Sequence, residues 1–313
     1  MKVAYLIIAH NQPGLLARLV KILTCEWAYF FIHIDAKTEL SPFQRRLDGC
    51  QNIMFVEDAK RVNVQWGGFS QVQATLNLLD TALNFDNSFS RYTLLSGSDF
   101  PIKPLAVIRE RFGSNQEFMR IDRRLKQAPS TDSHSRAAQR YYFMDLPLPR
   151  MIKLRFLSGW IPRRLTSDIP LYHGAQWWSL TGACIQHIMK FVQETPSYAT
   201  FCRHLLSSDE IFFHSIVKES PFAGRISHDF ERVSNLAAFS ALNDHGCHYI
   251  DWNVRQKVLP KTLTQDDLPA LHRSFALFAR KFDEIKSLEL LQILENEVKT
   301  EGNNSVAADG GMP

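Results

Sequence analysis

The chain of 313 residues is 45% hydrophobic and 22% charged, the balance of a folded globular protein with room for one large domain or two small ones. Its 36 basic and 32 acidic residues leave a net charge of +4, too mild to indicate nucleic acid but compatible with a local basic patch for an anionic ligand. Five cysteines, Cys25, Cys50, Cys184, Cys202 and Cys247, are odd in number and form no C-x-x-C, which argues against a disulfide scaffold or a zinc site and suits a reducing, cytoplasmic setting.

The apolar opening run is too short for a signal peptide and meets Asn11-Gln12-Pro13 instead of small cleavage-site residues, so it reads as a first strand. No run of about 18 apolar residues occurs, and no membrane-spanning helix is expected. Val3 to Ala9 is continuously apolar, as strands buried on both faces are, and ends at His10. Leu15, Leu16, Leu19, Val20 and Leu23 then recur at helical spacing. Tyr29 to Ile34 is a second strand, ending at Asp35; Ile53 to Val56 is a third. Trp66-Gly67-Gly68 follows, where glycines allow close backbone approach to a ligand beside an aromatic face. A helix is expected from Ser70 to Leu83. The strand Tyr92 to Leu95 then runs into Ser96-Gly97-Ser98-Asp99-Phe100-Pro101-Ile102-Lys103-Pro104. Strand, helix, strand, strand, helix, strand predicts an α/β protein with a mostly parallel sheet. In such sheets ligands sit outside the carboxyl ends of the strands, so His10, Asp35 and Asp99 read as the rim of one crevice. Neither a P-loop nor a G-x-G-x-x-G is present, which disfavours an NTPase or a dinucleotide dehydrogenase.

Between Arg120 and Arg164 basic residues interleave with Tyr141, Tyr142, Phe143, Phe156 and Trp160, and prolines break the periodicity. This reads as a long binding loop, suited to sugar stacking or to peripheral contact with anionic lipid headgroups. Gly174-Ala175-Gln176-Trp177-Trp178 reads as a floor against which a sugar lies, followed by a helix over 182–194. Ser207 or Ser208 is expected to cap a helix whose first turn carries Asp209 and Glu210, a carboxylate on a rigid element able to accept a hydroxyl proton. Asp251 and Trp252 are weaker site candidates. Arg280 and Lys281 are expected in a helix over 278–283, a leucine-spaced helix over 287–299, and a disordered tail over 301–313.

With these residues in view the chain resembles the core-2/I-branching β-1,6-N-acetylglucosaminyltransferase and peptide O-xylosyltransferase family, glycosyltransferase family 14. The resemblance is carried, in order, by Ala4-Tyr5-Leu6-Ile7-Ile8-Ala9-His10, Ile32-His33-Ile34-Asp35, Trp66-Gly67-Gly68, Leu95 to Lys103, Gly174 to Trp178, Asp209-Glu210-Ile211-Phe212-Phe213-His214 and Phe278 to Asp283. It implies a GT-A type glycosyltransferase fold, a Rossmann-like, mostly parallel central sheet flanked by helices. It implies one domain over 1–300, with a nucleotide-binding half over 1–119, the basic aromatic region over 120–165 and an acceptor and catalytic half over 166–300. It implies an inverting, metal-independent transferase that moves xylose or N-acetylglucosamine from a UDP-sugar to a hydroxyl of a glycan or other acceptor. The unpaired cysteines and the lack of an expected anchor, a departure from secretory relatives, point to a surface polysaccharide or lipid-linked glycan as that acceptor. The chain has no Asp-x-Asp, which fits independence from metal; no cofactor is expected. Glu210 matches the family's catalytic base. His10, Asp35, Trp66, Gly67, Lys281 and Lys261 fall to the UDP, with Lys257 and Arg255 as alternatives to Lys261. Ser98, Asp99, Gln176, Trp177, Trp178, Asp251 and Trp252 fall to the donor sugar and acceptor. The alternatives are a non-catalytic sugar- or nucleotide-binding protein on the same fold and a membrane-surface adaptor using the basic loop.

Overall fold

The computed structural model describes residues 1–126, 132–149, 152, 161–232, 243–252 and 259–304. In chain order the elements are β1 (Val3–Ala9), α1 (Pro13–Leu23), β2 (Ala28–Ile34), α2 (Ser41–Leu47), β3 (Ile53–Phe55), α3 (Ser70–Phe85), β4 (Arg91–Ser96), β5 (Phe100–Pro101), α4 (Leu105–Phe112), β6 (Glu117–Arg124) and α5 (Ser133–Ala138). They continue with β7 (Tyr172–Gly174), β8 (Ser179–Thr181), α6 (Gly182–Glu194), α7 (Pro196–Cys202), α8 (Phe212–Lys218), β9 (Ile226–Asp229), β10 (Asp244–His245), β11 (His248–Ile250), α9 (Leu268–Arg273), β12 (Phe278–Arg280) and α10 (Leu288–Asn304).

The larger sheet has the order β3-β2-β1-β4-β8-β6-β7, with β9 on the other side of β6. β3, β2, β1 and β4 are mutually parallel, and β8 runs against its neighbours β4 and β6. The result is an α/β architecture with a mostly parallel central sheet flanked by helices. β1 shows why the sequence reads this way. Val3, Tyr5 and Ile7 enter an apolar layer with α1, α2 and α10, while Ala4 and Leu6 enter the layer of α3, α6 and α8. A strand covered on both faces has no polar side to display, hence the unbroken apolar run.

A smaller sheet, β10-β11-β12-β5, joins the last third of the chain to the turn after β4. Here the expected helix over 278–283 is corrected. Phe278 and Ala279 are fully buried and pair on both sides, with His248 and Tyr249 of β11 and with Pro101 and Phe100 of β5. A three-residue strand filling a sheet interior outweighs the helical appearance of Phe-Ala-Arg-Lys-Phe. The helix expected to start at Ser207 or Ser208 is also corrected. Ser208–Glu210 form a separate 3-10 turn, Ser207 has φ 52°, neither serine caps, and α8 begins only at Phe212. The last helix, expected over 287–299, runs on to Asn304, and residues 305–313 lie outside the described ones. Among the described residues no helix is long and apolar enough to cross a membrane, and all five cysteines are unpaired.

Candidate active site

Residues from both sheets gather around the carboxyl ends of β1 and β2. His10, one residue past β1, is exposed, yet its surroundings remove enough water to lower its pKa. Asp35 opposes that shift, and Lys281, Lys37 and Arg280 reinforce it. Three strand ends from distant parts of the sequence therefore face one imidazole. Asp35 is held by the Lys37 amide at 2.9 Å and lies 3.2 Å from its ammonium, which also donates to the Val64 carbonyl at 2.5 Å. Arg61 fixes this corner by donating to the carbonyls of Ile34, Asp35 and Thr38.

From Val64 the chain passes the half-exposed Trp66 to Gly67, whose carbonyl accepts from the Ser207 amide at 2.9 Å. Three residues on, Glu210 Oε2 meets His173 Nε2 at 3.2 Å. His173 begins the segment that runs through Gln176 to Trp177. The Arg280 guanidinium lies 4.2 Å from the Trp177 ring centre, and its chain neighbour Lys281 is among the charges that lower the His10 pKa. Four residue steps from His173 to Trp177 span at most about 14 Å. The Glu210 carboxylate and the Arg280 guanidinium thus meet the two ends of one short segment.

Several candidates take other places. Asp99 is fully buried instead of lining the crevice. It accepts from the Ser96 amide at 2.7 Å and hydroxyl at 2.6 Å, meets His248 Nε2 at 3.2 Å and lies 3.7 Å from Arg280 Nε. Burial alone would raise its pKa; Arg280, His248 and Ser96 hold it below the usual carboxylate range. Ser98 is buried too, and its carbonyl accepts from Phe282 N at 2.9 Å. Trp177 and Trp178 are both buried in the core layer shared with α3, α6 and α8, Trp178 against Phe213 and Trp177 beside the Arg280 guanidinium, so neither forms an open floor. Lys261 donates to Asp267 at 2.5 Å, which raises its pKa, so its charge is committed to an internal partner. Lys257 and Arg255 lie outside the described residues. Asp251 accepts from the Lys261 amide, and Lys281 N donates to the Lys261 carbonyl, which puts Asp251 and the half-exposed Trp252 on the Lys281 side.

Gly68, beside Gly67, leaves its space to a protein side chain. A Cβ on Gly68 would lie 2.1 Å from Asp145 Oδ1, and one on Gly67 would lie 3.3 Å from Leu206. Asp145 reaches through that gap to accept from Phe69 N and Ser70 N, at 3.0 and 3.2 Å, at the start of α3.

Sequence reasoning missed the support of Glu210. His173 Nδ1 lies 3.4 Å from Asp122 Oδ2, and Asp122 Oδ1 accepts from Arg120 Nε at 2.6 Å. Burial works against a charged imidazole, but the two flanking carboxylates outweigh it and raise the His173 pKa to about 9. Asp209, buried next to Glu210, is pushed up by burial and by the Glu210 charge. No local motif marks these groups, because they meet only through the β6–β7 register.

The Core-2/I-Branching enzyme family matches residues 3–272. The chain belongs to that family. Among its curated relatives, Xylosyltransferase 2 of Canis lupus familiaris is 23% identical, over 94% of this chain and 33% of that protein. Xylosyltransferase oxt of Drosophila pseudoobscura pseudoobscura is 24% identical, over 89% of this chain and 31% of that protein. The chain thus spans about a third of the length of the curated relatives it matches. Among solved structures, apo mouse Xyloside xylosyltransferase 1 aligns over 88% of this chain and 97% of that one, at 12% identity and a TM-score of 0.35. Trp66, Glu210, Trp177 and Lys281 each lie in a segment that carries the family resemblance.

Proposed function

We propose that this chain is an inverting glycosyltransferase of GT-A type that moves xylose or N-acetylglucosamine from a UDP-sugar to a hydroxyl of a glycan or lipid-linked glycan, without a metal ion. Family membership supports glycosyl transfer. The observation that carries the detailed reading is the Glu210 carboxylate, held by His173 at 3.2 Å and partly open to solvent, on the turn that the Ser207 amide ties to the Gly67 carbonyl beside Trp66.

Glu210 Oε2 is held by His173, and Oε1 takes the proton of the acceptor hydroxyl. The acceptor oxygen bonds to the anomeric carbon from the face opposite UDP. The bond from that carbon to the diphosphate oxygen breaks, with its electron pair leaving on UDP. One displacement inverts the centre. Lys281 faces the charge that grows on the departing diphosphate, the place where a fixed cation contributes most. The lack of an Asp-x-Asp supports this division of labour. His10, Asp35 and Lys281 serve the nucleotide, and the half-buried Gln176 borders the transferred sugar.

The test is a panel of UDP-sugars followed by UDP release, with and without excess EDTA. Glu210→Gln should lower turnover at least about a hundredfold, the lower end of general-base catalysis, with UDP affinity unchanged. Lys281→Ala should weaken UDP binding in calorimetry. Near-normal turnover of Glu210→Gln, or unchanged UDP affinity of Lys281→Ala, refutes the corresponding assignment. UDP binding with no turnover on any donor favours a binding protein instead.

A further inference from the structure

We infer that His173, backed by Asp122, is a positioning residue for Glu210: it clamps one carboxylate oxygen, so that the other alone faces the acceptor hydroxyl. The inference rests on Glu210 being the base. Its geometry is a line of ionic groups across three elements. Arg120 Nε donates to Asp122 Oδ1 at 2.6 Å on β6, Asp122 Oδ2 lies 3.4 Å from His173 Nδ1 on β7, and His173 Nε2 meets Glu210 Oε2 at 3.2 Å on the 3-10 turn. The line is sheltered at His173, whose side chain is 13% exposed, and opens at Glu210, at 35%.

The other groups facing His173 are accounted for. The His134 ring of α5 covers it, with centroids 4.3 Å apart. His214 of α8 is buried, donates from Nε2 to the Ala175 carbonyl at 2.8 Å, and has its pKa lowered by burial to about 4. It is therefore neutral beside the His173 cation. Asp209 lies beneath Glu210 and is driven towards its protonated form. With those neighbours uncharged, His173 carries the positive charge between Asp122 and Glu210. A carboxylate on a short turn has free rotation about its terminal bonds. Fixing one oxygen by a charged donor removes that freedom before substrate binds, and a displacement of about 1 Å at a reacting group costs about a hundredfold.

The experiment compares turnover and UDP affinity of wild type, His173→Leu, His173→Gln, Glu210→Gln and the His173→Leu/Glu210→Gln double variant. Expected is a fall in kcat of about ten- to a hundredfold for His173→Leu with UDP affinity within about twofold. His173→Gln, which keeps one amide donor, recovers part of it. In the Glu210→Gln background His173→Leu changes kcat less than about threefold, because it acts through a group already removed. Undiminished kcat in His173→Leu, or a full multiplicative loss in the double variant, overturns the inference. Should His173→Leu fail to bind UDP or to fold, His173→Gln carries the same comparison. A wild type without turnover refutes the transferase reading and the positioning role with it. Histidine-selective NMR then still reads the pair itself: the His173 ring should titrate at lower pH in Glu210→Gln than in wild type, and an unmoved titration overturns the contact.

Discussion

Raising the pH from 7 to 9 lowers the folding stability of this protein by about 2 kcal/mol through His173 alone, and the sign follows from its two carboxylate neighbours. The folded state holds the imidazole proton up to about pH 9, whereas the unfolded chain releases it near 6.5. A group whose folded pKa is raised contributes stability that is fully present below the unfolded pKa and vanishes as pH climbs through the folded one. A tenfold step in proton affinity is worth about 1.4 kcal/mol, so the whole contribution is about 3 kcal/mol, and roughly 2 of it disappears between pH 7 and 9. Asp209 acts in the same direction, since burial and Glu210 keep on it a proton that an unfolded carboxyl loses near pH 4. Buried Cys202 and Cys247, both pushed up to about 12, add a further loss once unfolded thiols ionise near 8.5. Urea unfolding at pH 7, 8 and 9 measures the total, and His173→Gln isolates its own share, because the cysteines are untouched. The variant should be less stable at pH 7 yet lose about 2 kcal/mol less on the way to pH 9. An identical alkaline loss in wild type and His173→Gln would show that His173 is not held charged between Asp122 and Glu210.

Gly174→Ala should destabilise by at least about 3 kcal/mol or prevent folding, since its Cβ would lie 1.8 Å from the Arg120 carbonyl and 2.6 Å from the His214 ring; a stable variant by thermal melting refutes the β6–β7 packing under the site. Gly68→Ala and Asp145→Ala should each cost about 1 kcal/mol, and the double variant little more than either, because one gap serves one capping carboxylate. Lys261→Met should leave UDP affinity within about twofold and cost no more than about 1 kcal/mol of stability, as its ammonium belongs to Asp267; a large loss of UDP affinity returns it to the diphosphate.

The strands were legible because each is covered on two faces and so writes its burial into consecutive residues. β1 and β2 lie where their apolar runs do, and α6 coincides with the expected 182–194. What stayed illegible depended on partners far along the chain. Phe278–Arg280 is a strand only because β11 and β5 flank it, and no periodicity can be read in three residues. The Gly67-Gly68 pair announces close approach without naming the visitor, and the visitor to Gly68 is Asp145, 77 positions away. Trp177 and Trp178 read as a floor in sequence, yet both are buried, one beside Arg280 and the other against Phe213, because adjacent aromatics do not say which layer will cover them. His173 carries no local signal at all, since Asp122 and Glu210 lie 51 and 37 positions distant.

The burial of Asp99 explains why Ser96-Gly97-Ser98-Asp99 is central even though its carboxylate lines no crevice. Gly97 passes so close to β1 that a Cβ would lie 2.8 Å from the Ala9 Cβ, and its amide donates to Ile8. That contact sets the turn against the strand that presents His10. From the turn, the Ser98 carbonyl holds Phe282 N and the Asp99 carboxylate faces Arg280, the two residues on either side of Lys281. Lys281 is thus pinned before and after itself to the end of β1. A buried carboxylate beside a guanidinium also offsets the Arg280 charge locally, and Arg280 acts on His10 less than Asp35, Lys281 and Lys37 do. Removing Asp99 would leave Arg280 as an unpaired buried cation and would loosen the one segment that brings a lysine from the end of the chain to a strand end at its beginning.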